Sequence, residues 1–372
     1  MNYIVAVSDG LYCFYYRDGG VWFCEFKNGA WSETQVLISG VRKDFTVNLI
    51  DEEIILIWQD DAGDLKKGRF SGDDITAHVL ISGKGELGQY CAISAEGGLN
   101  LVYSLPFSGD IHMLMSQLVG TNGAWGAVKR VDNISAMSGF GSVSLFRLVP
   151  VADRHYLAVY QNGGFESRIG YKEIYGDEVG KYNLIHSSIH SFGDCSFLAT
   201  KYDLHVACVV RGVFGARLIY KKKGADGFSP GVVVTEGQGL HNVMFYTANE
   251  KLHLLFMRND NIYCVVAEDN GYRWSFLPLE EHTHAQPRQI SKAIFLSNNR
   301  SKIGIMANEL LVDKEKPWEI QSISRHVFEA YTQQKTKIQV QTKNNTKNAE
   351  DDYNEFFNNM ENELTEFLDN SH

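Results

Sequence analysis

The sequence predicts an all-β fold, a β-propeller that is followed by a flexible linker and an amphipathic α-helix. Three observations support this prediction. Short strands with apolar residues at every second position recur along the chain, glycine-containing turns separate them, and the composition changes after Arg325. Strands that recur at intervals of several tens of residues are typical of propellers, in which each repeat forms one small sheet, or blade.

One strand of each repeat is the clearest, because it alternates apolar residues on one face and ends in a large or apolar residue. Successive copies end 42 to 57 residues apart, a distance that accommodates four short strands and their loops. The copies are Tyr12/Phe14/Tyr16, Ile54/Leu56/Trp58, Leu99/Leu101/Tyr103, Tyr156/Ala158/Tyr160, Val206/Cys208/Val210, Leu252/Leu254/Phe256 and Ile303/Ile305/Ala307. These seven copies favour seven blades, with six as the alternative.

A shorter apolar strand precedes each of these strands, and more polar strands follow it. This order is expected in a blade, because the inner strands are buried on both faces and the outer ones are not. The last repeat, residues 293–323, is weaker, and its third strand is placed at 310–312. As an alternative, the strand at the start of the sequence pairs into this last blade and closes the ring.

The last part of the sequence is predicted to be separate from the propeller. The predicted domains are the propeller at 1–325, a short helix and polar linker at 326–348, and an acidic amphipathic helix at 349–372. The net charge of −10 is concentrated in this last segment, which holds eight carboxylates and no Lys or Arg. Its apolar residues recur at helical spacing and form one stripe: Tyr353, Phe356, Phe357, Met360, Leu364, Phe367 and Leu368.

Three turns contain a Gly that is followed by a Trp two or three residues later. Their residues are Gly29 and Trp31, Gly123 and Trp125, and Asp269, Gly271 and Trp274. In such a turn Gly permits a positive φ, Asp holds the turn, and Trp packs between sheets. We therefore predict that these residues are structural and that the three Trp side chains are largely buried.

These turns resemble the Asp-box of sialidase-like propellers, Ser/Thr-x-Asp-x-Gly-x-x-Trp. Residues 267–274 match this box except at the first position, where Ala267 replaces the hydroxyl residue, and the other turns are degenerate. The resemblance implies the architecture but not the activity, since a sialidase has an arginine cluster and a Tyr/Glu nucleophile pair with an acid. The stretch nearest to the family's Phe/Tyr-Arg-Ile-Pro contains Arg147. It is one residue longer and lies in mid-chain.

The sequence predicts neither a cofactor nor a metal site. The six cysteines include no CxxC pair and are predicted to be buried free thiols. The pairs His186/His190 and His282/His284 lack further ligands at a metal-binding spacing. The nearly neutral body lacks the positive field of a nucleic-acid binder, and no apolar run is long enough to span a membrane. Because no basic leader precedes the first strand, we expect a cytoplasmic protein.

These observations favour a non-catalytic propeller that serves as an interaction scaffold, whose C-terminal helix docks a protein partner or a second copy. The alternative is a glycan-binding, lectin-like propeller or a degenerate sialidase-like one. A third and weaker hypothesis is a hydrolase that uses the loop acids Asp60, Asp61, Asp153 and Glu166. A central cluster of two carboxylates with arginines would favour an enzyme over the scaffold.

Overall fold

The computed structural model describes residues 2–8, 10–50, 52–82, 87–120, 124–135, 145–152, 155–162, 166–200, 203–224, 227–248, 251–259, 261–268, 271–277, 290–297 and 306–318. All of them belong to the first of two units, Met1–Arg325. The predicted linker and C-terminal helix, 326–372, lie outside the described residues.

The described elements are all β-strands, which confirms the predicted all-β class. These strands form six small sheets that follow one another along the chain. Within the described part, we find no helix with the length and apolar character needed to cross a membrane.

The first three sheets follow the order of the chain. The first contains β1 (Asn2–Ala6), β2 (Leu11–Arg17), β3 (Gly20–Lys27), β4 (Ala30–Trp31) and β5 (Gln35–Ser39). The second contains β6 (Val41–Ile50), β7 (Glu53–Asp60), β8 (Leu65–Ser71) and β9 (Asp74–Ile81). The third contains β10 (Tyr90–Ala95), β11 (Gly98–Ser108), β12 (Ile111–Gly120) and β13 (Lys129–Ser135).

The next three sheets repeat this plan. The fourth contains β14 (Phe146–Ala152), β15 (His155–Asn162), β16 (Ser167–Tyr175), β17 (Glu178–Val179) and β18 (Asn183–Ser188). The fifth contains β19 (Ser191–Ala199), β20 (Leu204–Arg211), β21 (Ala216–Gly224), β22 (Gly227–Phe228) and β23 (Val232–Gly237). The sixth contains β24 (His241–Ala248), β25 (Lys251–Arg258), β26 (Asn261–Glu268) and β27 (Arg273–Leu277).

The last described strands join earlier sheets. Strand β28 (Ile290–Ser297) pairs in parallel with β1, and β30 (Glu309–Asp313) pairs with the other edge of β28. Strand β29 (Met306–Ala307) pairs with β24. The N-terminal strand therefore pairs with the last repeat, which agrees with the alternative prediction that the first strand joins the last blade. The number of blades stays a prediction, because 278–289 and 298–305 lie outside the described residues.

Six of the clearest predicted strands coincide with β2, β7, β11, β15, β20 and β25. Each of them has a hydrogen-bonded neighbour on both sides. Their apolar faces are buried, and Leu56 and Phe256, for example, are completely enclosed. The period of two in the sequence thus identified these central strands, and burial on both faces makes the intervening residues apolar as well, since Ile54 to Trp58 of β7 are all buried.

The apolar core lies between successive sheets. Phe14 of β2 packs edge to face on Phe70 of β8, with ring centroids 5.1 Å apart. Tyr220 of β21 packs in the same way on Phe245 of β24, at 6.1 Å. A four-stranded sheet on its own leaves both faces exposed, whereas sheets packed in succession cover each other. This packing is that of a β-propeller.

Candidate functional site

Polar side chains connect the first strand of one sheet to the first strand of the next. Asn48 of β6 accepts a hydrogen bond from the Ala92 amide of β10 at 3.3 Å. Asn242 of β24 donates one to the Ile290 carbonyl of β28 at 3.2 Å. Other links join Tyr3 to Phe45 and Thr46, and Gln89 to Leu145 and Phe146. The first strands therefore lie side by side at the centre of the propeller.

Four charged side chains meet among these inner strands. Together with Ser196 they form what we name the central charge cluster: Arg147, Asp194, Lys292, Glu309 and Ser196. Lys292 Nζ of β28 lies 2.8 Å from Asp194 Oδ1 of β19 and 3.3 Å from Glu309 Oε1 of β30. Arg147 of β14 forms an ion pair with Glu309. The Ser196 hydroxyl donates to Glu309 Oε2 at 2.8 Å. Two positive and two negative charges thus balance each other.

Irregular strand pairing explains the position of Asp194. The register of β19 on β20 is interrupted between Phe192 and Cys195, and that of β24 on β25 is interrupted just before Met244. At these interruptions, the amides of Cys195 and Val243 donate to the Asp194 carboxylate at 2.8 and 2.7 Å. The carboxylate therefore supplies acceptors where the strand ladders change register.

Opposite charges in the cluster hold Glu309 and Arg147 in their ionised forms. Burial acts to raise the pKa of Glu309, but the positive charges of Arg147 and Lys292 outweigh it and lower that pKa. Burial acts to lower the pKa of Arg147, and the negative charges of Glu309 and Asp194 outweigh it and raise that pKa. Mutual attraction thus compensates for the loss of hydration.

The geometry of the central charge cluster fits a structural link between strands better than a hydrolytic site. A glycosidase needs one carboxylic acid at the leaving group and a second carboxylate that reaches the sugar or its attacking water. The side chains of Asp194 and Glu309 are only 3% and 4% exposed. All of their carboxylate oxygens already accept hydrogen bonds from the protein. A substrate would have to displace these contacts.

Sequence reasoning missed this cluster. In the sequence, Arg147 lies in the stretch nearest to the first arginine motif of a sialidase. In the structure, Arg147 pairs with Glu309, 162 residues further along the chain. The available signal was a charge inside an otherwise apolar first strand, as at Arg147, Asp194 and Lys292. Which of these charges meet depends on the order in which the sheets pack, and the pattern of one strand does not contain that information.

Two of the described loop acids, Asp60 and Glu166, each pair with a basic residue of their own sheet. Asp60 lies 2.6 Å from Lys66 Nζ, and this hydrogen bond lowers the pKa of Asp60. Glu166, two sheets away, lies 3.5 Å from Arg168. Asp153 and the pair His282/His284 lie outside the described residues. Among the residues that are described, no three His, Cys, Asp or Glu side chains form a group that could hold a metal ion.

The side chains of Trp31, Trp125 and Trp274 in the Gly-Trp turns are each intermediate in exposure, neither fully buried nor exposed. The Trp274 ring packs edge to face on Tyr220 of the preceding sheet, at 5.0 Å between centroids. The Trp31 ring packs on Phe26 of its own sheet at 5.3 Å, and Trp125 forms an isolated bridge with Val119. The Trp274 ring therefore connects two sheets. Gly123 and Asp269 lie outside the described residues.

Two turn glycines adopt a positive φ for different reasons. Gly29 has a φ of +84° and open space around the position of a Cβ atom. Gly271 has a φ of +94°, and a Cβ atom there would lie 2.5 Å from Cε1 of Tyr220. Gly29 therefore meets only a backbone requirement, whereas Gly271 also lets the Tyr220 ring approach the turn.

One hairpin presents apolar side chains to solvent. Between β20 and β21, Val213 is 82% exposed and Phe214 is 95% exposed. The hairpin between β2 and β3, by contrast, turns through Asp18 and Gly19. Polar residues and Gly are the usual choice in such turns, because they hydrogen-bond locally and tolerate a positive φ. The Val-Phe pair is therefore not explained by turn formation.

The backbone fixes the position of this hairpin. The Gly212 amide donates to the Gly215 carbonyl at 2.7 Å and closes the turn. The loop that leads into β19 passes beside it, because a Cβ atom on Gly212 would lie 4.0 Å from Nε2 of His190. In that loop Ile189 is 81% exposed. We refer to Ile189, Val213 and Phe214 as the apolar tip.

The corresponding hairpin of the third sheet is also apolar. It joins β11 to β12, and both Phe107 and Ile111 are exposed there. The second strand of a sheet ends, and its third strand begins, at the edge where the first strand starts. The two hairpins therefore occupy equivalent edges of their sheets.

The apolar stripe predicted to dock a partner cannot be placed. Its residues, Tyr353, Phe356, Phe357, Met360, Leu364, Phe367 and Leu368, lie outside the described part of the chain. The helix and its docking role stay predictions.

No known family model matches the chain, and no curated protein matches it. Solved structures that are similar include a mutant of the Aleuria aurantia lectin in complex with Fucα1-6GlcNAc, at 10% identity and a TM-score of 0.43, covering 74% of this chain and 94% of that one. The Nup133 β-propeller domain from Vanderwaltozyma polyspora shows 8% identity and a TM-score of 0.44, covering 85% and 92%.

The NanB sialidase from Streptococcus pneumoniae is a further similar structure, at 8% identity and a TM-score of 0.40, covering 68% of this chain and 64% of that one. Likenesses this distant say nothing about the ligand or activity of this chain.

Proposed function

We propose that this protein is a non-catalytic β-propeller scaffold that binds a protein partner through the apolar tip. The observation that supports this proposal is the exposure of Val213 and Phe214 on a hairpin whose turn is closed by a backbone hydrogen bond. Exposed apolar surface is costly in water unless another surface covers it. A preformed tip of this kind binds with little loss of conformational entropy.

The surroundings of the tip indicate the chemistry of the partner. Arg211, at the end of β20, is exposed beside the hairpin, and His190 is half-buried next to Gly212. A convex aromatic tip fits a concave apolar pocket, and basic neighbours favour acidic residues around the rim of that pocket. We therefore propose a partner with an apolar pocket and an acidic rim.

The test begins with a photo-crosslinking amino acid, p-benzoylphenylalanine, placed at position 214 of the full chain. The protein that crosslinks there is purified, and its affinity is measured by titration calorimetry. We expect Phe214→Ser to weaken binding by about 30-fold or more, as for a central aromatic of an interface. The matched control is Tyr272→Ser, because Tyr272 is also exposed but lies on the hairpin at the opposite edge of its sheet.

The proposal fails if Phe214→Ser and Tyr272→Ser bind the purified partner as tightly as the unmodified protein does. A glycan array decides the alternative function. Glycan binding that survives Phe214→Ser would favour a lectin-like propeller and place the ligand elsewhere.

We also propose that residues 349–372 form an acidic amphipathic helix that docks a protein partner or a second copy. The spacing of its apolar residues supports this, since one stripe of seven is broad enough to need covering. We further propose a closed ring of seven blades, with six as the alternative. The pairing of β1 with β28 supports closure through the N-terminal strand.

A further inference from the structure

Four of the six cysteines face each other in pairs on neighbouring strands. Cys13 of β2 is directly opposite Cys24 of β3, and Cys195 of β19 is directly opposite Cys208 of β20. The sequence does not reveal this arrangement, because the members of each pair are separated by a complete hairpin. All four are free thiols and are buried.

The spacing of antiparallel strands suits a covalent bond at both places. Residues directly opposite each other have Cα atoms about 4.5–5.5 Å apart. Disulfides join Cα atoms that are roughly 4.4–6.8 Å apart. Each pair can therefore be bridged without separating its strands.

The other two cysteines provide an internal contrast. Cys91 of β10 faces Val102, and Cys264 of β26 faces Leu255 on one side and Leu277 on the other. Neither has a second sulfur across the strand pair. The same fold thus holds two cysteine pairs that can be bridged and two cysteines that cannot.

We propose that Cys13 with Cys24, and Cys195 with Cys208, are two dithiol sites that hydrogen peroxide converts to cross-strand disulfides. One thiolate sulfur attacks a peroxide oxygen, the O–O bond breaks, and the sulfur becomes a sulfenic acid while the released hydroxide takes up the proton and leaves as water. The facing sulfur then attacks the sulfenic sulfur, the S–S bond forms, and a second water leaves. Each sulfur loses one electron, and the peroxide accepts both.

The environment of the thiols makes this reaction slow at rest. Burial, a hydrogen bond to the Cys24 thiol and repulsion from it raise the pKa of Cys13 well above its usual range. Burial and the same interactions with Cys208 raise the pKa of Cys195. Because the thiolate is the reactive form, the raised pKa values of Cys13 and Cys195 slow the attack of these two thiols on peroxide.

The second pair adjoins the central charge cluster. The backbone amide of Cys195 donates to Asp194 at 2.8 Å, and its carbonyl accepts a hydrogen bond from Lys292 at 3.2 Å. Oxidation of this pair therefore cross-links β20 to β19, the strand that carries Asp194 and Ser196 of the cluster. We expect the oxidised protein to unfold at a higher denaturant concentration than the reduced protein, since both hairpins are then closed covalently.

The test uses the full folded chain. It is treated with hydrogen peroxide, the peroxide is removed with catalase, and the protein is unfolded in N-ethylmaleimide and mapped by mass spectrometry. We expect Cys91 and Cys264 to be labelled, and the other four to appear as two linked peptides that reduction restores. In Cys24→Ala we expect Cys13 to be labelled while the Cys195–Cys208 link still forms. In Cys208→Ala we expect Cys195 to be labelled while the Cys13–Cys24 link still forms.

Oxidation of the chain in denaturant is the control, and it should scramble the linkages because the register is then absent. Labelling of all six cysteines after oxidation of the folded protein would overturn the proposal. Links between the two pairs, or sulfinic acids in place of disulfides, would overturn it equally. None of these outcomes depends on the partner proposed above.

Discussion

Glu309 is the residue of the central charge cluster that contacts both cations. It pairs with Arg147 and lies 3.3 Å from Lys292 Nζ. We predict that Glu309→Gln lowers the free energy of unfolding by about 3–5 kcal/mol, since it leaves buried positive charge without its partner. Urea denaturation at neutral pH measures this. The control is Glu53→Gln, which removes an exposed pair with Arg69 and should cost at most about 1 kcal/mol. Equal losses in the two variants would contradict the structural role of the cluster.

His205 makes stability depend on pH. Burial lowers the pKa of His205 to about 4, and its Nδ1 lies 2.9 Å from the Tyr220 hydroxyl. Between pH about 6.5 and about 4 the unfolded chain takes up a proton that the folded chain does not, so stability falls as the pH falls. We predict a loss of up to about 3 kcal/mol over this window.

Chemical denaturation across that pH range tests the assignment. In His205→Gln the slope of stability against pH should become shallower, because the group that titrates differently in the two states is gone. His78→Gln, which changes an exposed histidine, is the matched control and should keep the slope of the unmodified protein. A slope that is unchanged in His205→Gln would refute the assignment to this residue.

At the scale of the elements, the Gly-Trp turns differ in how closely they pack. We predict that Gly29→Ala costs about 1–2 kcal/mol, because Ala tolerates the positive φ poorly. Gly271→Ala should cost roughly 1–3 kcal/mol more, since the added methyl group meets the Tyr220 ring. Parallel denaturation of the two variants gives the difference. Equal costs would mean that the Tyr220 ring moves aside freely.

Trp274 tests whether its turn has a structural role. Its ring packs on Tyr220 of the preceding sheet and is half-buried. We predict that Trp274→Ala lowers the free energy of unfolding by about 3 kcal/mol, the low end of the range for a large buried aromatic. Thermal and urea denaturation measure the change. Unchanged stability together with lost glycan binding would instead support the lectin-like alternative.

How far the elements could be predicted depends on what fixes each one. The apolar runs at residues 54–58 and 254–257 identify central strands, because burial on both faces favours apolar side chains at successive positions. The last repeat was harder, since its strands β28 and β30 complete the first sheet rather than repeat the plan. Likewise, Phe214 and the facing cysteines gain their meaning only from the hairpins that expose or align them.

At the scale of the whole molecule, the inner strands are joined by side chains as well as by packing. Asn48 and Asn242 each bond a backbone group of the next sheet, and Asp194 bonds the Val243 amide. Such bonds give each sheet a fixed position relative to the next, which apolar packing alone specifies less sharply. The pairing of β1 with β28 brings the beginning of the chain to its last described strands.

This arrangement leads to a prediction about the two ends of the sequence. Deletion of residues 2–7 removes β1, which pairs with both β2 and β28, and should abolish cooperative unfolding. Truncation after Tyr331 removes only the predicted linker and helix, and should leave the urea midpoint unchanged while a partner or self-association is lost. Urea denaturation and analytical ultracentrifugation of both variants test this. If the chain truncated after Tyr331 unfolds, residues 332–372 are part of the propeller core. If it folds and still associates, the docking role of Tyr353 to Leu368 is wrong.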